Sequence, residues 1–203
     1  MTLSFQAHPE PPLTTPEGWL ILLHGWGANA QDLLSFAPIL GLAGWQIYCL
    51  DAPFPHPQIP GGYMWYDLTD FASKPGLDTS RTALKDWIAT APLDLSRTVL
   101  AGFSQGGAMT LELGLGLPLA GLVVLSGYLH PQLALPITAP PILMIHGQAD
   151  LVVPVNIAQA SYQELQQAQI SVNYQELNMG HEINLAAIQI VRDFILSLPL
   201  AKG

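Results

Sequence analysis

The 203-residue chain carries 6 Lys and Arg against 15 Asp and Glu, a formal net charge of −9, and 50% of it is hydrophobic. That balance excludes a nucleic-acid partner, because neutralising phosphates takes clustered basic side chains. Only 10% of residues are charged, against roughly 25% in an average globular protein, so the surface is expected to be neutral or partly apolar, suited to an acyl-chain site or to self-association as a homodimer. No apolar run approaches the ~18 residues of a membrane span, which argues against integral membrane association. Met1-Thr2-Leu3-Ser4-Phe5-Gln6 lacks the basic head and long apolar stretch of a secretory leader. The single cysteine, Cys49, excludes an internal disulfide and suits a reducing, cytoplasmic setting. It lies within the apolar run Ile47 to Leu50, as a buried small hydrophobe would.

In chain order, Leu3 to Ala7 reads as a short strand and Leu20 to Leu23 as the first strand buried on both faces. A helix is expected over Ala30 to Leu40, then a second buried strand over Ile47 to Leu50. The proline-rich stretch Pro53 to Pro60, followed by Gly61-Gly62, predicts a long loop. Ser80 to Thr90 reads as a helix, Val99 to Ala101 as a strand and Gly107 to Leu115 as a helix. Strands are expected at Leu122 to Leu125 and Ile142 to Ile145, and an alternating edge strand at Val172 to Leu177. Helices Val155 to Gln169 and Glu182 to Leu196 flank that edge strand. Alternating strands and helices predict one α/β domain over residues 1–203: a mostly parallel central sheet with helices on both faces.

Ligands of such sheets bind at the carboxyl ends of the strands. The polar residues found there are His24-Gly25-Trp26-Gly27, Asp51, Ser104, Ser126, His146 to Asp150, and Asn178 to His181. Gly102-Phe103-Ser104-Gln105-Gly106 is a G-x-S-x-G elbow between an apolar strand and a helix, the context that lifts a serine hydroxyl above a sheet edge. A serine needs a base, and His181, in the turn after the edge strand, is best placed among six histidines. His24 and His146, each before a glycine, are read as turn-fixing residues, and His8, His56 and His130, each beside proline, as solvated loop residues. Asp150 is the expected partner of the base, ahead of the turn residue Asp51 and of Glu182, which adjoins His181. The amides of Gln105, at the helix start, and Trp26, in the glycine loop, are the candidate oxyanion donors. Tyr63-Met64-Trp65-Tyr66 either walls an acyl pocket or covers the sheet edge. No spacing suggests a metal, and no cofactor is expected.

His24-Gly25-x-Gly27, Trp65-x-Asp67, Gly102-Phe103-Ser104-Gln105-Gly106-Gly107, Gly147-x-x-Asp150-x-x-Val153-Pro154 and Gly180-His181 together span nearly the whole chain. In that order they resemble the phospholipase/carboxylesterase family of α/β-hydrolases, which includes acyl-protein thioesterases and small bacterial carboxylesterases. The resemblance implies an α/β-hydrolase fold and a serine carboxylesterase, with Ser104, His181 and Asp150 as its triad. It further implies Trp26 and Gln105 as oxyanion donors, Trp65 near the substrate, and a small-molecule or lipid ester as that substrate. A lysophospholipase or acyl-protein thioesterase acting on long acyl chains is the alternative. A non-catalytic, ligand-binding relative is disfavoured, since such proteins typically lose the acid or the base.

Overall fold

The computed structural model describes residues 2–200. In chain order the elements are β1 (Phe5–His8), β2 (Gly18–Leu23), α1 (Ala30–Leu34), α2 (Ala37–Leu40), β3 (Trp45–Leu50), β4 (Phe54–Pro55), β5 (Tyr63–Met64) and α3 (Leu77–Thr90). After a 3-10 turn at Leu95–Arg97 come β6 (Thr98–Phe103), α4 (Gln105–Gly114), β7 (Gly121–Leu125), β8 (Ile142–Gly147), α5 (Val155–Gln167), β9 (Val172–Leu177) and α6 (Leu185–Ser197). Seven strands form one sheet in the order β1-β3-β2-β6-β7-β8-β9. Every pair in it is parallel except β1 with β3. This is the expected mostly parallel sheet, with β9 at its edge.

The continuous apolar character of the inner strands follows from burial on both faces. Ile21, Leu23, Leu100, Val124 and Met144 face one layer, which includes Leu84 of α3, Met109 of α4 and Leu165 of α5. Their neighbours Leu20, Leu22, Val99, Ala101 and Ile145 face the other, against Leu33 of α1, Leu40 of α2 and Ile188 of α6. Cys49 is in this second layer, and burial pushes its thiol up to about 12. Among the described residues, no helix is long and apolar enough to cross a membrane.

Two local readings change. The helix expected over residues 30–40 breaks into α1 and α2. Pro38, at the start of α2, offers no amide to a helix running through from α1. The long loop after β3 contains a two-residue hairpin, β4 with β5, pairing Phe54 with Met64. Asp51 is a turn residue, as its context suggested: its carboxylate accepts from the amide of Ala30 at 2.7 Å and the hydroxyl of Ser4 at 2.9 Å.

The crossing of β6 into α4 depends on glycine. A Cβ on Gly106 would collide with the carbonyl of Leu23, and one on Gly102 with the backbone of Gly106. Neither obstacle is a flexible side chain. Gly106→Ala is therefore expected to cost about 3 kcal/mol or more, read as a lower denaturant midpoint with an unchanged slope.

Candidate active site

Ser104 joins β6 to α4 with φ 55° and ψ −117°, a left-handed conformation that costs a non-glycine residue energy. Its amide donates to the carbonyl of Leu125 at 2.8 Å, which anchors the elbow to β7. The loops after β8 and β9 are tied together, since the amides of Gln148 and Ala149 donate to the carbonyls of Leu177 and Met179 at 2.8 and 3.1 Å. That pairing brings Asp150 and His181 to Ser104. The His181 Nδ1–H donates to Asp150 Oδ2 at 2.7 Å, and His181 Nε2 lies 3.0 Å from Ser104 Oγ. With Nδ1 protonated against a carboxylate, Nε2 is left as the acceptor.

The Asp150 side chain is buried, and its other oxygen accepts from the amides of Val152 and Val153 at 2.9 and 2.8 Å. Burial pushes its carboxyl up, but the His181 hydrogen bond and the Val153 and Val152 amides outweigh it, leaving the carboxyl below its ordinary value. His146 lies alongside, its Nε2–H donating to the Val153 carbonyl at 2.7 Å. It thereby fixes the same turn. His24 is a turn residue too: Nδ1–H donates to the Gly25 carbonyl at 2.7 Å and Nε2 accepts from Ala52 at 3.0 Å. Burial lowers its pKa.

The loop after β2 comes close to the elbow at Gly25, where a Cβ would sit 3.3 Å from that of Ser104. The amide of Gly27 is used by Tyr63, at 2.8 Å. The amides of Trp26 and Gln105 have no acceptor among the described residues, and both residues line the cleft that holds Ser104 and His181. The cleft has a volume of about 590 Å³. Leu68, Phe71, Tyr128, Val153 and Ile157 contribute to its walls, and among the described residues no Asp, Glu, Lys or Arg lines it. Among the described residues, no group of three or more His, Cys, Asp or Glu could hold a metal ion.

Trp65 is elsewhere than expected. It is 0% exposed and lies beneath the cleft, outside its lining. Its ring Nε1–H donates to the His24 carbonyl at 2.9 Å, its amide donates to Gln105 Oε1 at 3.0 Å, and Gln105 Nε2 donates to the Tyr66 carbonyl at 2.7 Å. Tyr63 alone of the neighbouring aromatics shares the small hairpin.

His56 and His130 are also corrected, because both are buried. His56 Nδ1 accepts from the amides of Gln58 and Ile59 at 3.1 and 3.0 Å, closing the proline-rich loop. Its ring meets that of Trp26 edge-on, with centroids 4.2 Å apart. His130 is 2% exposed and sits between Glu112 and Tyr66. Sequence reasoning missed Glu112 altogether. The one signal was the single charged residue within the helical stretch Ala108 to Leu115.

The chain is similar to known proteins along nearly its whole length. The profile of the phospholipase/carboxylesterase family matches residues 10–198. An acyl-protein thioesterase 1 homolog from Dictyostelium discoideum is 26% identical, with 96% of each chain covered. Acyl-protein thioesterase 1 from Neurospora crassa is 28% identical over 89% of this chain and 81% of its own. Among solved structures, esterase PE8 superposes with a TM-score of 0.85 at 26% identity, covering 98% of this chain and all of the other.

Proposed function

The chain belongs to the phospholipase/carboxylesterase family and is an ester hydrolase, and from that premise we propose that Ser104 is its nucleophile, His181 its base and Asp150 the carboxylate that orients the base. The observation that carries this reading is the unbroken hydrogen-bonded line from Asp150 through His181 to Ser104. Ser104 Oγ attacks the ester carbonyl while His181 Nε2 takes its proton, and Asp150 stabilises the imidazolium. The unused amides of Trp26 and Gln105, both of residues lining the cleft beside Ser104, are the donors for the oxyanion. His181 then protonates the leaving alcohol or thiol. Water, activated by the same imidazole, attacks the acyl-enzyme and releases the acid.

The cleft supports an uncharged ester with an apolar acyl group as substrate, since among the described residues its walls offer no Asp, Glu, Lys or Arg to a charged group. Its volume also favours the second reading, a long-chain ester or thioester of the kind named for the acyl-protein thioesterase relatives. A cytoplasmic location rests on the lone, unpaired Cys49. A fluorophosphonate probe should label Ser104 in the folded protein, and absence of labelling would exclude an activated serine. A series of p-nitrophenyl esters and matched thioesters from two to sixteen carbons is expected to show kcat/KM rising with chain length until the cleft is filled. A rate indifferent to chain length would remove the acyl site.

A further inference from the structure

Beneath the cleft lies a second line of buried polar groups that the proposed chemistry does not use. The His130 Nδ1–H donates to Glu112 Oε2 at 2.8 Å, and His130 Nε2 lies 2.9 Å from the Tyr66 hydroxyl. Tyr66 and Tyr128 share a hydroxyl–hydroxyl bond of 2.7 Å. The other oxygen of Glu112 accepts from Arg81 Nη1 at 2.9 Å. A carboxylate only accepts, so Nδ1 of His130 carries a proton toward Glu112, and the ring, the Tyr66 hydroxyl and the Tyr128 hydroxyl continue the line from there.

A buried carboxylate is costly unless every lone pair finds a donor, and apolar side chains could fill this volume. What the charged group supplies is a fixed position for the Tyr66 phenol. That position matters because Tyr66 belongs to the segment joining the two halves of the oxyanion hole. Trp65 holds the His24 carbonyl, two residues before the Trp26 amide, and Trp65 and Tyr66 together clamp the Gln105 side chain. The hydroxyl of Ser80 on α3 holds the Trp65 carbonyl from the far side.

We propose that His130, oriented by Glu112, is a positioning residue for the oxyanion hole: it anchors Tyr66, and through the Trp65–Tyr66 segment it sets the spacing of the Trp26 and Gln105 amides. This rests on the reading of Ser104 as nucleophile. Donor placement acts on the transition state more than on the bound ester, so the signature is a loss in kcat rather than in KM.

The test uses the full chain with His130→Ala, His130→Gln and Tyr66→Phe, together with a trifluoromethyl ketone inhibitor, whose hemiketal oxyanion needs the same donors. His130→Ala and Tyr66→Phe are expected to lower kcat roughly 10- to 100-fold with KM within about twofold, and to weaken the inhibitor by the same factor as kcat/KM. His130→Gln can donate to Glu112 and accept from Tyr66, and is expected to recover most of the loss. Folded Tyr66→Phe with unchanged kcat and inhibitor affinity overturns the proposal, as does a loss confined to KM. Because Tyr66→Phe keeps the ring, that outcome can be read even where His130→Ala fails to fold. Ser104→Ala run beside them separates the two readings: if it alone loses activity, the triad stands and the role of His130 falls.

Discussion

Ser104→Ala is expected to lower kcat about 10⁶-fold while leaving the fold intact, since the substitution removes one oxygen and keeps the Cβ already accommodated at φ 55°. What should survive is the part of catalysis that needs no nucleophile: the two amides proposed as oxyanion donors and a cleft that orients the ester. His181→Ala should fall to a similar level. The double variant should be no worse than either single one, because serine and base act as a unit. Turnover of a short-chain p-nitrophenyl ester with matched denaturation curves decides it. A folded Ser104→Ala protein retaining most of its rate would end the mechanism.

Asp150→Asn carries the second largest effect, about 10⁴-fold in kcat near neutral pH, and the local geometry says why. One carboxylate oxygen is already committed to the Val152 and Val153 amides, so the asparagine oxygen stays there and its amide group faces His181. Nδ1 must then accept, which places the proton on Nε2, against Ser104. A base carrying its proton on the wrong nitrogen is no base. Stability should change as well. The Asp150 carboxyl lies below its ordinary value, so the fold binds its proton less readily than the unfolded chain does. Its stabilisation is complete above about pH 4, the ordinary carboxylate range, and is lost as pH falls through the lower folded value. Asparagine lacks that titration. The variant's denaturation midpoint should therefore lose part of its steepness on the acid side, and an unaltered acid limb would contradict the role of Asp150.

The sheet was legible because parallel strands buried on both faces leave uninterrupted apolar runs, as at Leu20 to Leu23 and Ile142 to Ile145. Ser104 and Asp150 stood out as polar residues that follow two such runs and His181 as one that follows the alternating edge strand, and the geometry brings them within hydrogen-bond reach. Legibility failed where a residue's role is set by distant partners. His130 sits between leucine and proline and reads as a loop residue, yet its hydroxyl partner is 64 residues away. Trp65 lies in an aromatic run whose two faces look alike in sequence. Only its bonds to His24 and Gln105 show that it turns inward. The break between α1 and α2 had a local cause, Pro38, that helical periodicity masked.

The pairing of the β8 and β9 loops has a consequence in time. The bonds that assemble the site span 77 residues from His181 to Ser104 and 31 from His181 to Asp150. On the proposed triad, a growing chain possesses its elbow serine well before its base His181, and the hydroxyl is expected to stay latent until β9 docks on the sheet edge. An edge strand opens more readily than the centre of a sheet, so on heating β9 is expected to detach first and to switch the proposed hydrolysis off while β2, β6 and β7 still hold together. Inactivation should accordingly precede the loss of helical signal, and cooling from that interval should restore activity without a full refolding step.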